Sequence, residues 1–290
     1  MTSAKVLRGY LETPGKILIA PGAYDGISAR LIAGLGFEVV YMTGGGTSAS
    51  RIGQPDLGLV TMTEMVENAA RIADCSGLPV IADADTGYGN ALNVVRTTRE
   101  YERAGVAAIH IEDQVFPKRC GYLRGKDVIP AGAFIEKIKA AVDSRRNDDF
   151  IIIARTDARS VLGLEEAIER ANLYVEAGAD MAFVEGLESI EEVREIPLRV
   201  KAPCVVNMAG PATKTPPVAI EELRRIGYRI SIYPGICLAA AIFSMREALR
   251  TLKEEGIGWD ALHPIGPHEI FAAVGLEEWK TLEKKYSGAQ

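Results

Sequence analysis

The stretch Val80-Ile81-Ala82-Asp83-Ala84-Asp85-Thr86-Gly87-Tyr88-Gly89 decides how the rest of the chain is read. An apolar run typical of a buried strand stops abruptly in two carboxylates and a glycine-rich turn, and a helical pattern starts near Asn93. Residues i and i+2 of a strand point the same way, so Asp83 and Asp85 are expected to aim in one direction. Two like charges held that close raise at least one pKa unless a cation sits with them. Hard divalent cations take such oxygens. Asp is also common as a plain helix cap at such turns. The next apolar run, Ala107 to Ile111, ends in Glu112-Asp113, with a helical stretch from Val94 to Ala104 between. That is a βαβ unit, whose strands run parallel. Asp83, Asp85 and Glu112 then share one rim of a sheet, as candidate ligands of Mg²⁺ or Mn²⁺.

Outward from this unit the alternation continues. Strands are expected at Lys16–Ala20, Val39–Met42, Phe150–Ala154, Met181–Val184, Cys204–Val206 and Ile230–Tyr233. Helices are expected at Ala4–Leu11, Ser28–Leu35, Thr63–Cys75, Ala131–Arg145, Leu164–Ala177, Ile190–Ile196 (stopped by Pro197), Glu221–Ile226 and Leu238–Glu254, with a last one within 267–285. Eight strands alternating with helices over this length match a (β/α)₈ TIM-type barrel. A doubly wound sheet is the alternative, but Gly44-Gly45-Gly46 lacks the GxGxxG spacing of a nucleotide loop. Residues 1–290 read as a single barrel domain, with 113–130 as an active-site lid and 258–290 as a C-terminal helical segment.

The totals exclude several classes. The 290 residues carry 33 basic and 39 acidic side chains, net −6, and no basic run. Nucleic acid is therefore not an expected partner. The longest apolar stretch, Ile236 to Phe243, is far too short to span a bilayer, and the N-terminus lacks the apolar core of a secretory signal. Four scattered cysteines with no CxxC fit neither a disulfide framework nor a zinc site, and point to a reducing cytoplasm.

In a barrel, chemistry gathers at strand C-termini. Here those ends hold Thr43-Gly44-Gly45, Asp83 and Asp85, Glu112, Arg155, Glu185 and Asn207. Arg155 and Asn207 suit a carboxylate or phosphate ligand better than a cap. The long loop after Glu112 carries Lys118-Arg119-Cys120-Gly121-Tyr122. Two flanking cations are expected to stabilise the Cys120 thiolate, and Gly121 lets the backbone approach a ligand closely.

Lys118-Arg119-Cys120-Gly121 resembles the signature of the isocitrate lyase and phosphoenolpyruvate mutase superfamily. The likeness extends to Thr43-Gly44-Gly45-Gly46, Pro55-Asp56-Leu57-Gly58, Asp83 through Gly89, Glu112-Asp113-Gln114 and Ala154-Arg155-Thr156-Asp157-Ala158. The resemblance implies a (β/α)₈ barrel with its last helix swapped between subunits, a homotetramer, and Mg²⁺. It implies that Asp83, Asp85 and Glu112 surround the metal, in part through waters. Thr43, the Gly44 and Gly45 amides and Arg155 would hold a 2-oxo or 2-hydroxy acid, with Asp56, Gly121, Tyr122, Glu185 and Asn207 around it. Tyr41 is the candidate base and Cys120 the acid that protonates an enolate. The implied reaction is cleavage of a 2-hydroxy dicarboxylate, a substituted malate or a 2-methylisocitrate-like compound, to a 2-oxo acid and a carboxylic acid. A phosphonate P–C bond-forming mutase, an oxaloacetate hydrolase or decarboxylase, and a barrel that binds carboxylates without turnover are the alternatives. Two departures bear on the choice. Tyr122 stands where the lyases carry His. No arginine follows Tyr233-Pro234 before Arg246, so a third substrate carboxylate lacks its partner, which favours a substituted malate.

Overall fold

The computed structural model describes residues 2–210, 213–257 and 265–287. Eight parallel strands close into a barrel in chain order. They are β1 (Leu18–Ala23), β2 (Val40–Met42), β3 (Val80–Asp83), β4 (Ala108–Glu112), β5 (Ile151–Thr156), β6 (Met181–Val184), β7 (Cys204–Asn207) and β8 (Ile230–Tyr233). Closure is made by β1 on β8, with Leu18 opposite Ile230 and Pro21 opposite Tyr233. This is the (β/α)₈ barrel that the alternation predicted, with most strand ends within two residues of expectation.

Strand alternation sorts the side chains into two layers. Tyr41, Ile81, Ala108, Ile151, Ile153, Phe183 and Val205 face inward and fill the barrel. Their neighbours Met42, Ala82, Ile109, Ile152 and Ala154 face outward onto the helices, where Met65, Ile72, Tyr101, Phe134 and Ile138 cover them. The first helix, Ser3–Glu12, is capped by the Thr2 hydroxyl and buries Leu7 among the inward residues at the strand starts, closing that end. Each buried aliphatic of this size contributes about 1.5–3 kcal/mol, so both layers hold the strands in fixed register.

Beyond an added short helix, Arg159–Leu162, and a last helix that is split in two, Pro267–Ala272 and Leu276–Tyr286, two departures from expectation have a clear cause. Ile190–Arg199 runs through Pro197 instead of stopping before it. Proline removes the N–H that would bond the Val193 carbonyl. The Tyr228 hydroxyl donates to that carbonyl at 2.9 Å, so the acceptor is satisfied and the helix continues. Second, the glycine run after β2 opens a helix, Gly44–Ile52, capped by Thr43. Glycine is a poor helix former, but here it makes room: a Cβ on Gly44 would lie 2.4 Å from Asp83 Oδ2.

After β8 the helix Ile236–Glu255 leaves the barrel largely uncovered. Only Thr251 along it is buried, and Phe243 is 74% exposed. Helices Pro267–Ala272 and Leu276–Tyr286 expose Phe271 and Trp279. Parts of the expected C-terminal segment, 258–264 and 288–290, lie outside the described residues. No helix among the described residues is long and apolar enough to cross a membrane.

Candidate active site

The inward parity of each strand continues to its C-terminal end and delivers the site. Tyr41 leads to Thr43, Ile81 to Asp83, Ala108 to His110 and Glu112, Ile153 to Arg155, Phe183 to Glu185, and Val205 to Asn207. Asp85 arrives differently. It lies beyond β3, with φ +47°, in the left-handed region that Asp tolerates better than most residues. Strand alternation therefore does not aim it, contrary to the i, i+2 expectation. Its turn is fixed by its own N–H on Asp83 Oδ1 (3.0 Å), by the Glu112 N–H on its carbonyl (2.9 Å), and by Lys137 Nζ on the Thr86 carbonyl (2.9 Å).

Thr43, Gly45, Asp56, Asp83, Cys120, Gly121, Tyr122, Arg155, Glu185, Asn207 and Tyr41 line one cavity of about 260 Å³. Asp85, Glu112 and Gly44 stand behind its wall. Lys118 lies between, its Nζ 2.8 Å from Asp85 Oδ1 and 2.5 Å from Asp56 Oδ1. Arg155 Nε is 3.2 Å from Glu112 Oε2 and bonds Asp157 Oδ2 at 2.9 Å. The Gly44 N–H donates to Asp83 Oδ2 at 3.2 Å. Burial pushes the Asp85 carboxyl up, with Lys118 opposing and Asp83 adding to the rise. At Asp83 burial also works upward, but the Lys118 and Arg155 charges and the Asp85 N–H outweigh it and hold the carboxyl below its ordinary range. Glu112 is raised well above its ordinary value by burial, against Arg155.

Among the described residues no three His, Cys, Asp or Glu side chains converge closely enough to ligate one ion by themselves. Glu112 Oε1 is nonetheless buried with no hydrogen-bond partner among them, and Asp85 Oδ1 has the Lys118 ammonium near it but out of line for a hydrogen bond. The all-oxygen donor set suits a hard divalent cation held largely through water and ligand. It does not suit one enclosed by three direct carboxylates.

The loop from Asp113 to Pro130 closes over the cavity. Its two limbs pair near their base, Ile129 N–H on the Asp113 carbonyl and Val115 N–H on the Asp127 carbonyl, both at 2.9 Å. The Cys120 N–H reaches the Asp56 carbonyl at 3.1 Å. A Cβ on Gly121 would lie 2.8 Å from both Arg155 Nη2 and Glu185 Cγ, so only glycine fits there. The Asn207 amide donates to Glu185 Oε2 at 3.0 Å, and the Tyr122 hydroxyl lies 3.5 Å from Thr215 Oγ1.

Two readings need correction. Lys118 and Arg119 do not give Cys120 a stabilised thiolate. Burial dominates and pushes the thiol up, because Lys118 is committed to the carboxylates. Tyr41 lines the cavity, but burial and the Asp83 charge hold its phenol well above 10, which does not fit a tyrosinate base. Its hydroxyl sits 2.8 Å from His110 Nε2, a histidine that burial keeps neutral, with a pKa lowered to about 4. His110 lies in the middle of β4, away from the strand end where the sequence points to chemistry; its inward parity, shared with Glu112, is the signal that finds it.

The likenesses to known proteins agree with this geometry. The family model of phosphoenolpyruvate phosphomutase matches residues 7–253. A 2,3-dimethylmalate lyase of Eubacterium barkeri is 46% identical, over 99% of each chain. A 2-methylisocitrate lyase of Aeropyrum pernix is 43% identical, over 98% of this chain and 94% of that one. Among solved structures, an oxaloacetate acetylhydrolase with 3,3-difluorooxalacetate superposes with a TM-score of 0.94 at 40% identity, over 99% and 98% of the two chains. A phosphonopyruvate hydrolase complexed with oxalate and Mg²⁺ does so with 0.87 at 30% identity, over 99% of each. The chain belongs to the phosphoenolpyruvate mutase and isocitrate lyase superfamily, and is an enzyme of its carbon–carbon lyase group.

Proposed function

We propose that the protein is a Mg²⁺-dependent lyase that cleaves a 2-hydroxy dicarboxylate, a substituted malate, to a 2-oxo acid and a carboxylic acid. One observation carries this. Arg155, Thr43 and Asp83 share one cavity of about 260 Å³ with Cys120, a half-buried thiol that its partial burial keeps protonated. The described lining offers two cations, Lys118 and Arg155, already paired with Asp85 and with Glu112 of the proposed metal set. The rest of the lining includes Ala209, Thr213, Pro234, Gly235 and Leu238. A third carboxylate would find no further cation among the described lining, whereas an alkyl substituent would suit its apolar part.

Asp83, Asp85 and Glu112 would hold the metal, which, when bound, lowers the pKa of the substrate hydroxyl, so that its proton passes to solvent before the lid closes. Arg155 orients the substrate carboxylate, helped by Thr43 and the Gly45 amide at the start of its helix. The lid excludes water from the carbanion-like species released when C2–C3 breaks. Cys120 then delivers its proton to that carbon and is reprotonated after the lid opens. A raised thiol pKa suits this task, since the group must arrive protonated. Tyr41 and His110 form the neutral floor.

A second reading, hydrolysis of oxaloacetate, is favoured by the likeness to oxaloacetate acetylhydrolase. Turnover of malate, 2-methylmalate, 2,3-dimethylmalate, oxaloacetate, isocitrate and 2-methylisocitrate, each with Mg²⁺ and with chelator, tests both. A 2-oxo acid from a substituted malate supports the lyase; oxalate and acetate from oxaloacetate support the hydrolase; turnover unaffected by exhaustive chelation contradicts the metal. We also place the chain in the cytoplasm, its four cysteines being free, as a homo-oligomer, most simply a tetramer. What supports association is the exposed Phe243, Phe271 and Trp279, together with an apolar groove of about 530 Å³ lined by Ile27, Leu31 and Ile236. Such faces are covered in soluble proteins.

A further inference from the structure

Lys126 lies in an otherwise exposed stretch of the lid, between Gly125 and Asp127, yet its side chain is only 3% exposed. Burying an ammonium is unfavourable unless it is paired and hydrogen-bonded. Lys126 Nζ is both: it lies 2.7 Å from Asp157 Oδ1 and also donates to the Gly121 carbonyl. The same carboxylate receives Arg155, through Nε on Oδ2 at 2.9 Å and Nη2 on Oδ1 at 3.2 Å. Asp157 is itself fixed, its N–H donating to Asp113 Oδ1 at 2.9 Å. Nothing in the proposed chemistry uses this lysine.

We infer that Lys126 is a positioning residue: it clasps the lid tip at Gly121 to the carboxylate that orients Arg155, so that Cys120 reaches the substrate only when Arg155 is set to hold it. The inference rests on the active-site reading given above. Three facts tie the parts together. Gly121 is the residue next to Cys120 and lies against Arg155 and Glu185 with no room for a Cβ. The lid limbs are already paired at 113–115 and 127–129, so Lys126 acts at the first position beyond that pairing, toward the tip. Asp157 Oδ1 accepts from Lys126 and Arg155 at once, so a displaced lid tip and a displaced guanidinium disturb one shared acceptor.

The test reads Cys120 alkylation by iodoacetamide, quantified on its own peptide by mass spectrometry, with and without Mg²⁺ plus oxalate, a planar dicarboxylate sized for the 2-oxo acid end. The wild type, Lys126→Met and Lys126→Arg are compared, and Lys126→Gln replaces Lys126→Met if that variant does not fold. In the wild type the additions should protect Cys120. In Lys126→Met the protection should fall by about 10-fold or more, and kcat on the best substrate by about 10–100-fold with KM little changed, as expected when a catalytic group is misplaced by an ångström. Lys126→Arg should restore much of both, which a merely structural loss would not. Equal protection in the wild type and Lys126→Met overturns the clasp. A wild type that is not protected overturns the active-site reading beneath it, and the clasp with it.

Discussion

Lys118 holds its ammonium 2.8 Å from Asp85 Oδ1, inside the acidic set proposed to hold a divalent cation. The charge on Lys118 is favoured well beyond its ordinary range, burial being outweighed by Asp85, Asp83, Glu112 and Asp56. The lid thus carries an internal cation into the site. Lys118→Met should therefore tighten Mn²⁺ binding to the substrate-free protein by about 10-fold or more, since an opposing unit charge a few ångströms away is removed. Turnover should fall at the same time. Mn²⁺ titration followed by electron paramagnetic resonance checks this; unchanged or weaker binding would show that Lys118 and the metal do not share the carboxylates.

Asp85→Asn should abolish turnover and leave the barrel folded. Asparagine tolerates the left-handed backbone at this position, φ +47°, which alanine does not. Burial disfavours the Asp85 charge, so its removal should not lower Tm. A cooperative melt at or above the wild-type temperature, with activity down by about 10³-fold or more, is expected; a large drop in Tm would make Asp85 a structural residue.

The Cys120 thiol is raised by burial, so the folded chain keeps its proton at a pH where an ordinary thiol, near 8.5, has lost it. The sign follows: any stability linked to this proton is present below the unfolded value and lost as pH rises through the folded one. The thiol stays neutral where an ordinary one ionises, so kcat should hold there, and alkylation of Cys120 in the ligand-free enzyme should rise with a midpoint above that of an ordinary thiol. A midpoint near 7 would restore the stabilised thiolate expected from the sequence alone.

Much of the fold was legible because one rule, the period of two along strands, governs both layers of the barrel. The same rule aims Thr43, Asp83, Arg155, Glu185 and Asn207 into one mouth, with Glu112 just behind its wall against Arg155. What escaped the sequence depends on partners distant in the chain. Lys118 stands two residues before Cys120 in the chain, but its charge goes to Asp56 and Asp85. Lys126 carries no local signal at all, its partner Asp157 being 31 residues away. The helix through Pro197 could not be foreseen either, since the compensating hydroxyl belongs to Tyr228.

That compensation gives a stability test. Tyr228→Phe leaves the Val193 carbonyl without the donor that replaces the missing proline N–H. A buried acceptor left unpaired costs about 1–3 kcal/mol. Chemical denaturation should show a loss in that range, with kcat unchanged because Tyr228 lies outside the site cavity. No loss would mean that the carbonyl finds another donor.

The most direct test of the account is steady-state kinetics of Cys120→Ser on the best substituted malate from the panel. Serine is nearly isosteric, so the lid, with Gly121 untouched, should still close. Its hydroxyl is a far poorer acid than a thiol, so protonation of the released carbon should fail. The account predicts a fall in kcat of about 10²–10⁴, the usual contribution of a positioned proton donor, with KM little changed. A variant that keeps most of its kcat would contradict the role of Cys120 and, with it, the assignment of carbon–carbon cleavage to this site.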